Sequence, residues 1–165
     1  MTIKLKLSSA GIEQAKKELA EYKAELNRRL ELFIRKLAEK GVTVAQLKFA
    51  AAQYDGENDV TVSMEQNGKR ARIIASGKSV AFIEFGAGTT FPEHPSGAFP
   101  HGTYGKGKGA NPNGWAYKGK QGTGGQYVRD GVYRTKGNPP AMAMWSATEE
   151  IAAAVSDTWR EVMQS

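Results

Sequence analysis

The chain has 165 residues, a net charge of +6 and a hydrophobic fraction of 40%, which suits one folded domain with a buried core and excludes a disordered chain. It has no cysteine, so a disulfide framework, a thiol nucleophile and a zinc site with thiolate ligands are excluded. No apolar run approaches the roughly 18 residues of a membrane span, and Met1–Gln14 lacks the continuous apolar core expected of a secretory signal.

Ile3-Lys4-Leu5-Lys6-Leu7 alternates apolar and polar residues and predicts a half-buried strand. Ser8 or Ser9 then caps a helix. From Gly11 to Lys40, Ile12, Ala15, Leu19, Tyr22, Leu26, Leu30, Phe33 and Leu37 recur in steps of three and four, giving one continuous stripe. Gly41 is expected to end that helix. A helix of some thirty residues is ~45 Å long. The plain reading is a core helix with a solvated charged face. Its excess length adds the alternative that part of the stripe faces a neighbouring subunit.

Thr43–Gln53 reads as a second, short helix. Val60–Met64 alternates as a strand, Asn67-Gly68 signals a two-residue hairpin turn, and Arg70–Ala75 is the returning strand. Val80–Phe85 is short and apolar, either a strand or a helical turn. Gly86–Gln126 is a long Gly-rich loop or arm. Tyr127–Arg134 reads as a strand with a bulge at Gly131. Gly137-Asn138-Pro139-Pro140 is a rigid turn. A final helix is expected from about Pro140 to Met163, with Met144, Ile151, Val155, Trp159 and Val162 on its apolar face. These elements predict an α+β fold. A small antiparallel sheet packs with a long N-terminal helix and a C-terminal helix, in a single domain over 1–165 with an extended loop at about 86–126.

Candidate chemistry is sparse. Phe91, Phe99, Tyr104, Trp115 and Tyr117 punctuate the loop and are expected to pack against protein, partly across a subunit boundary. Lys106, Lys108, Lys118 and Lys120 lie among them. Aromatics stack on bases and lysines track phosphates, so a nucleic-acid-binding module is the alternative reading. The favoured one is a solvated loop anchored by its aromatics on its own or a neighbouring subunit. Gly105-Lys106-Gly107-Lys108-Gly109 lacks the order of a phosphate-binding loop. His94 and His101, with Glu93, match no tight metal site, so no metal or cofactor is expected. A Ser-His-Asp triad would need one of these two histidines in a preorganised site, which a Gly-rich loop supplies poorly. No catalytic set is therefore expected. Glu84 stands inside an apolar run and needs a partner, for which Arg72 or Arg134 is the candidate.

The order is strand, long helix, hairpin, Ile83-Glu84-Phe85-Gly86, a variable loop, Gly137-Asn138-Pro139-Pro140-Ala141-Met142 and a terminal amphipathic helix. It resembles the head–tail joining proteins of tailed bacteriophages, the neck or tail-completion family that includes minor tail components. The resemblance covers most of the chain. Where the family's second motif runs on into a Pro-Phe-Met-like segment, this chain has Ala141-Met142-Ala143-Met144-Trp145. The resemblance implies a structural virion protein without catalytic residues, assembled in the host cytoplasm into a ring, expected to be hexameric. Its implied partners are the head connector or head-closure protein and the tail terminator or tail-tube protein, with passing contact to DNA and none to a membrane. Glu84, Phe85, Gly86, Gly137, Pro139 and Pro140 would be its structural motif residues.

Overall fold

The computed structural model describes residues 8–97 and 110–164. Its first element, α1, is one helix from Ser9 to Ala50, 42 residues long and about 63 Å from end to end. Ser8 is extended, and its hydroxyl accepts the Gly11 N–H at 3.2 Å, so Ser8 is the cap. The expected stop at Gly41 and the separate helix over Thr43–Gln53 are corrected, because the two helices are one rod. A Cβ on Gly41 would lie 2.6 Å from Cδ1 of both Ile73 and Ile151. The glycine makes room for two neighbours, and that packing outweighs a helix-propensity cost of ~1 kcal/mol.

Strands β1 (Thr61–Asn67) and β2 (Arg70–Ser76) form an antiparallel hairpin with Asn67 opposite Arg70. The turn is therefore Gly68-Lys69, one residue later than Asn67-Gly68. Gly68 has φ +56° and Lys69 has no positive φ, the φ signs of a type II′ turn. The Val80–Phe85 run is helix α2. Its entry is tied down by Asp59, whose carboxylate accepts the N–H groups of Lys78 at 2.8 Å and Ser79 at 3.0 Å and also the Ser79 hydroxyl. The Ser79 hydroxyl and these two amides hold the Asp59 carboxyl down at about 2.

The segment 86–126 is not a loop throughout. Within it lies β3 (Trp115–Lys118), which pairs with β5 (Val132–Thr135), and β5 pairs with β4 (Gln126–Arg129). The expected single strand over Tyr127–Arg134 is corrected to the β4–β5 hairpin. Its turn is at Asp130-Gly131, with Gly131 at φ +65°, and the irregularity falls between Tyr127 and Arg129 instead of at Gly131. The predicted strand Ile3–Leu7 lies outside the described residues.

Helix α3 runs from Ala143 to Met163, so Pro139 and Pro140 precede it and are not part of its first turn. It lies antiparallel on α1. Arg29 Nη1 donates to the Met163 carbonyl at 3.0 Å, Phe33 meets Trp159 edge-on with centroids 5.4 Å apart, and Lys36 pairs with Glu161. The core is Ala45, Phe49, Ile83, Ala143 and Ala147. Three alanines let α1, α2 and α3 approach closely around Phe49, the one large aromatic fully buried there. The result is the expected α+β architecture, with its antiparallel pairs divided between a two-stranded and a three-stranded sheet.

Candidate functional site

The two short motifs read from the sequence dock on one another. Helix α2 ends at Gly86, with φ +78°. Its last carbonyls have no further turn of helix to bond them. The 138–142 segment supplies the donors instead. Asn138 Nδ2 donates to the Phe82 carbonyl at 3.0 Å, Ala141 N–H to Ile83 at 2.8 Å, and Met142 N–H to Glu84 at 3.3 Å. Ala87 and Asn138 then exchange a pair of backbone hydrogen bonds, each 3.0 Å. Gly137 has φ +100°, and a Cβ there would strike the Ala87 carbonyl, so only glycine allows the approach.

Glu84 completes the junction. Its carboxylate is buried, with Oε2 accepting the Met144 N–H at 3.0 Å and Oε1 accepting the Trp145 N–H at 3.1 Å. Helix α3 lacks a cap of its own, because the N-cap position is Met142, at φ +53°, with no side-chain hydrogen bond. Glu84 thus caps α3 from another helix and sets its negative charge at the positive end of the α3 dipole. The arginine partner expected for Glu84 is corrected. Two amides and an imidazole take that place.

The imidazole is His94, buried between Phe85 and Trp145, whose ring centroids lie 4.9 and 6.1 Å away. Its Nε2 lies 3.3 Å from Glu84 Oε1. Its Nδ1 accepts the Ser96 N–H at 3.1 Å, with Ser96 Oγ at 2.8 Å. A backbone N–H needs a lone pair to donate to, so Nδ1 is unprotonated and Nε2 carries the proton toward Glu84. Serine, imidazole and carboxylate are linked here in series, as in a hydrolytic triad. Their other bonds make them a brace. Ser96 shares the Nδ1 lone pair between its own N–H and its hydroxyl, and the carboxylate already holds two helix amides. The network fixes segment 94–96 and the start of α3 to α2.

A second buried carboxyl, Asp55, holds the three-stranded sheet to the end of α1. The Thr135 hydroxyl donates to Asp55 Oδ2, while Thr135 Oγ1 accepts the Gly137 N–H at 2.7 Å. Asp55 Oδ1 is buried without a hydrogen-bond partner. Desolvation pushes the Asp55 carboxyl above its ordinary value, and the Thr135 hydrogen bond partly opposes this. The Asp55 carbonyl accepts the Tyr117 hydroxyl and the Gly122 N–H, and Thr123 N–H donates to the Tyr54 carbonyl at 2.8 Å. Asp55 lines two clefts of about 220 Å³ each. One is walled by Tyr54, Phe82, Trp115 and Tyr117, the other by Phe91, Arg134 and Lys136.

Of the loop aromatics singled out in the sequence, Phe91, Trp115 and Tyr117 are half-buried and come together around Asp55. Phe99 and Tyr104 lie outside the described residues, as do Lys106, Lys108 and His101. Lys118 is exposed at the end of β3, and Lys120 pairs with Glu57 at 2.6 Å. Among the described residues no cluster of metal-ligating side chains occurs, and no helix is long and apolar enough to cross a membrane. Sequence reading missed Asp55 and Thr135, and it weighed His94 only as a metal or catalytic candidate and not as a neighbour of Glu84. One signal was available: a helix start at Ala143 with no Ser, Thr, Asp or Asn at its cap calls for a cap from elsewhere. No family model, curated protein or solved structure matches the chain.

Proposed function

We propose that the chain is a structural, non-enzymatic virion protein of a tailed bacteriophage, a ring-forming component of the neck that joins the head connector to the tail. The observation that carries this reading is the junction of the two motifs. Ile83-Glu84-Phe85-Gly86 and Gly137–Met142 carry the resemblance to head–tail joining proteins, and they meet as one hydrogen-bonded unit at the root of the long insertion. Motifs held together in that way suit a family signature that specifies a fold and not a reaction. In the Ser96–His94–Glu84 series the imidazole and the carboxylate are buried and occupied in structural bonding, which also favours a non-catalytic role.

On this reading the subunits meet through unlike faces, as a ring requires. The sheet that carries Trp115 and Tyr117, together with Phe91, supplies one of them. The test is electron microscopy and solution mass measurement of the purified protein mixed with the connector or tail-terminator protein of the same phage. Ring-shaped co-assemblies are expected. A protein that never co-assembles with either would refute the proposal.

A further inference from the structure

Gly122-Thr123-Gly124-Gly125 lies in the connection from β3 to β4 and straps across Tyr54 and Asp55, just past the end of α1. Gly122 N–H donates to the Asp55 carbonyl at 3.1 Å and Thr123 N–H to the Tyr54 carbonyl at 2.8 Å. The Thr123 hydroxyl accepts the Tyr54 N–H at 3.0 Å and donates to the Tyr54 carbonyl at 3.1 Å. The strap lies too close for side chains. A Cβ on Gly122 would strike the Tyr54 carbonyl, one on Gly124 the Asp55 Oδ1, and one on Gly125 the Tyr117 hydroxyl. None of these three glycines has a positive φ, so close contact demands them and backbone conformation does not.

Beneath Gly124, Asp55 is 6% exposed and its Oδ1 has no hydrogen-bond partner. The strap thus keeps water from that oxygen and puts no donor in its place. A neutral carboxyl tolerates such a site far better than a carboxylate does. We propose that the 122–125 strap is a pH-dependent cover, closed over Asp55 while that carboxyl is neutral and lifted when it ionises. Thr135 already bonds Oδ2, so the demand for water falls on Oδ1. Thr123 and Gly124 are exposed, so lifting them uncovers little apolar surface, and the hydrogen bonds they give up pass to water. The surrounding groups leave the change of charge to Asp55. Burial raises Tyr54 and Tyr117, which stay neutral, and Asp59, held at about 2, stays ionised. Tyr133 packs on Tyr117, Lys120 pairs with Glu57, and Arg134 and Lys136 line the neighbouring cleft, yet none of them gives Oδ1 a hydrogen bond. Desolvation raises the Asp55 carboxyl in the closed form, so acid closes the strap and rising pH opens it. The cover stands independently of the neck proposal.

Backbone amide exchange in the full-length protein reads the cover directly, as protection factors corrected for the intrinsic effect of pH. In the unmodified chain, the Gly122 and Thr123 amides should be protected in acid. They should lose protection by up to about tenfold per pH unit once Asp55 ionises, at the midpoint where NMR sees the Asp55 carboxyl carbon titrate. Ala45 and Phe49, in the core, should keep their protection throughout. Asp55→Asn, neutral at every pH, should hold Gly122 and Thr123 protected with no pH dependence. Gly124→Ala should leave both amides unprotected at every pH while Ala45 and Phe49 stay protected. Protection at Gly122 and Thr123 that ignores pH in the unmodified chain would overturn the cover, and so would a pH dependence that survives in Asp55→Asn. A loss shared with Ala45 and Phe49 would mark unfolding of the whole domain and would overturn it as well.

Discussion

Glu84 accepts the Met144 backbone N–H at 3.0 Å across sixty residues of sequence, and so caps a helix to which it does not belong. The same carboxylate holds Trp145 N–H and faces His94. The start of α3, the end of α2 and the root of the insertion therefore share one buried anion. Displacing any one of them leaves polar groups of the others without partners.

Replacing Glu84 tests that cap. Glu84→Gln keeps the shape and removes the charge, and should cost about 1–3 kcal/mol in denaturant unfolding. Glu84→Ala, which leaves two amides and the His94 Nε2 unpartnered in the core, should cost more, about 3–5 kcal/mol. In Glu84→Gln, amide exchange at Met144 and Trp145 should accelerate before exchange in the middle of α3 does. Uniform acceleration along α3 would contradict a capping role.

The two aspartates should give opposite pH dependence. Burial raises the Asp55 carboxyl in the folded protein, so the protonated form is the one folding favours. Its contribution is fully present below the ordinary aspartate range and is lost as pH rises through the raised folded value. Asp55→Asn should remove that slope from the pH dependence of unfolding free energy. A slope unchanged in Asp55→Asn would show that another group carries it.

Asp59 runs the other way. Its carboxyl is held at about 2 by the Ser79 hydroxyl and the Lys78 and Ser79 amides, so its contribution is present above the ordinary range and is lost as pH falls toward the folded value. Asp59→Asn should flatten the acid limb of the stability profile and leave the limb governed by Asp55 in place. Loss of both limbs together would mean that the two carboxyls are not independent.

Gly41→Ala should destabilise the protein, although alanine is the better helix former. The propensity gain is ~1 kcal/mol, whereas the new methyl would press on Ile73 and Ile151 at 2.6 Å, an overpacking that typically costs 1–3 kcal/mol. A lowered melting temperature is expected. A raised one would mean that the isoleucines repack freely.

Gly41 also shows where sequence reading reached its limit. The three-and-four spacing from Ile12 to Leu37 declared a helix there, because periodicity reports which residues share a face, although on that face Ile12, Leu19, Tyr22 and Leu26 are exposed and Leu37 is buried. A glycine that ends a helix and a glycine that lets two side chains in look alike in sequence. Only the positions of Ile73 and Ile151, on other elements, tell them apart. Likewise Asp130-Gly131 is a hairpin turn because β5 pairs with both β3 and β4, and the strand count of that sheet is not written in either flank. The site was legible in outline. Glu84 stood out as a carboxylate in an apolar run that needed a partner. The partner was a helix terminus, which has no side-chain signature, and pattern reading looked for an arginine instead.

The central claim is that this protein joins heads to tails. It is tested most directly by deleting its gene from a phage that encodes it and imaging the particles made. The account predicts DNA-filled heads and finished tails accumulating apart, with joining restored when the purified protein is added back. Joined, infectious virions produced without the protein would contradict it.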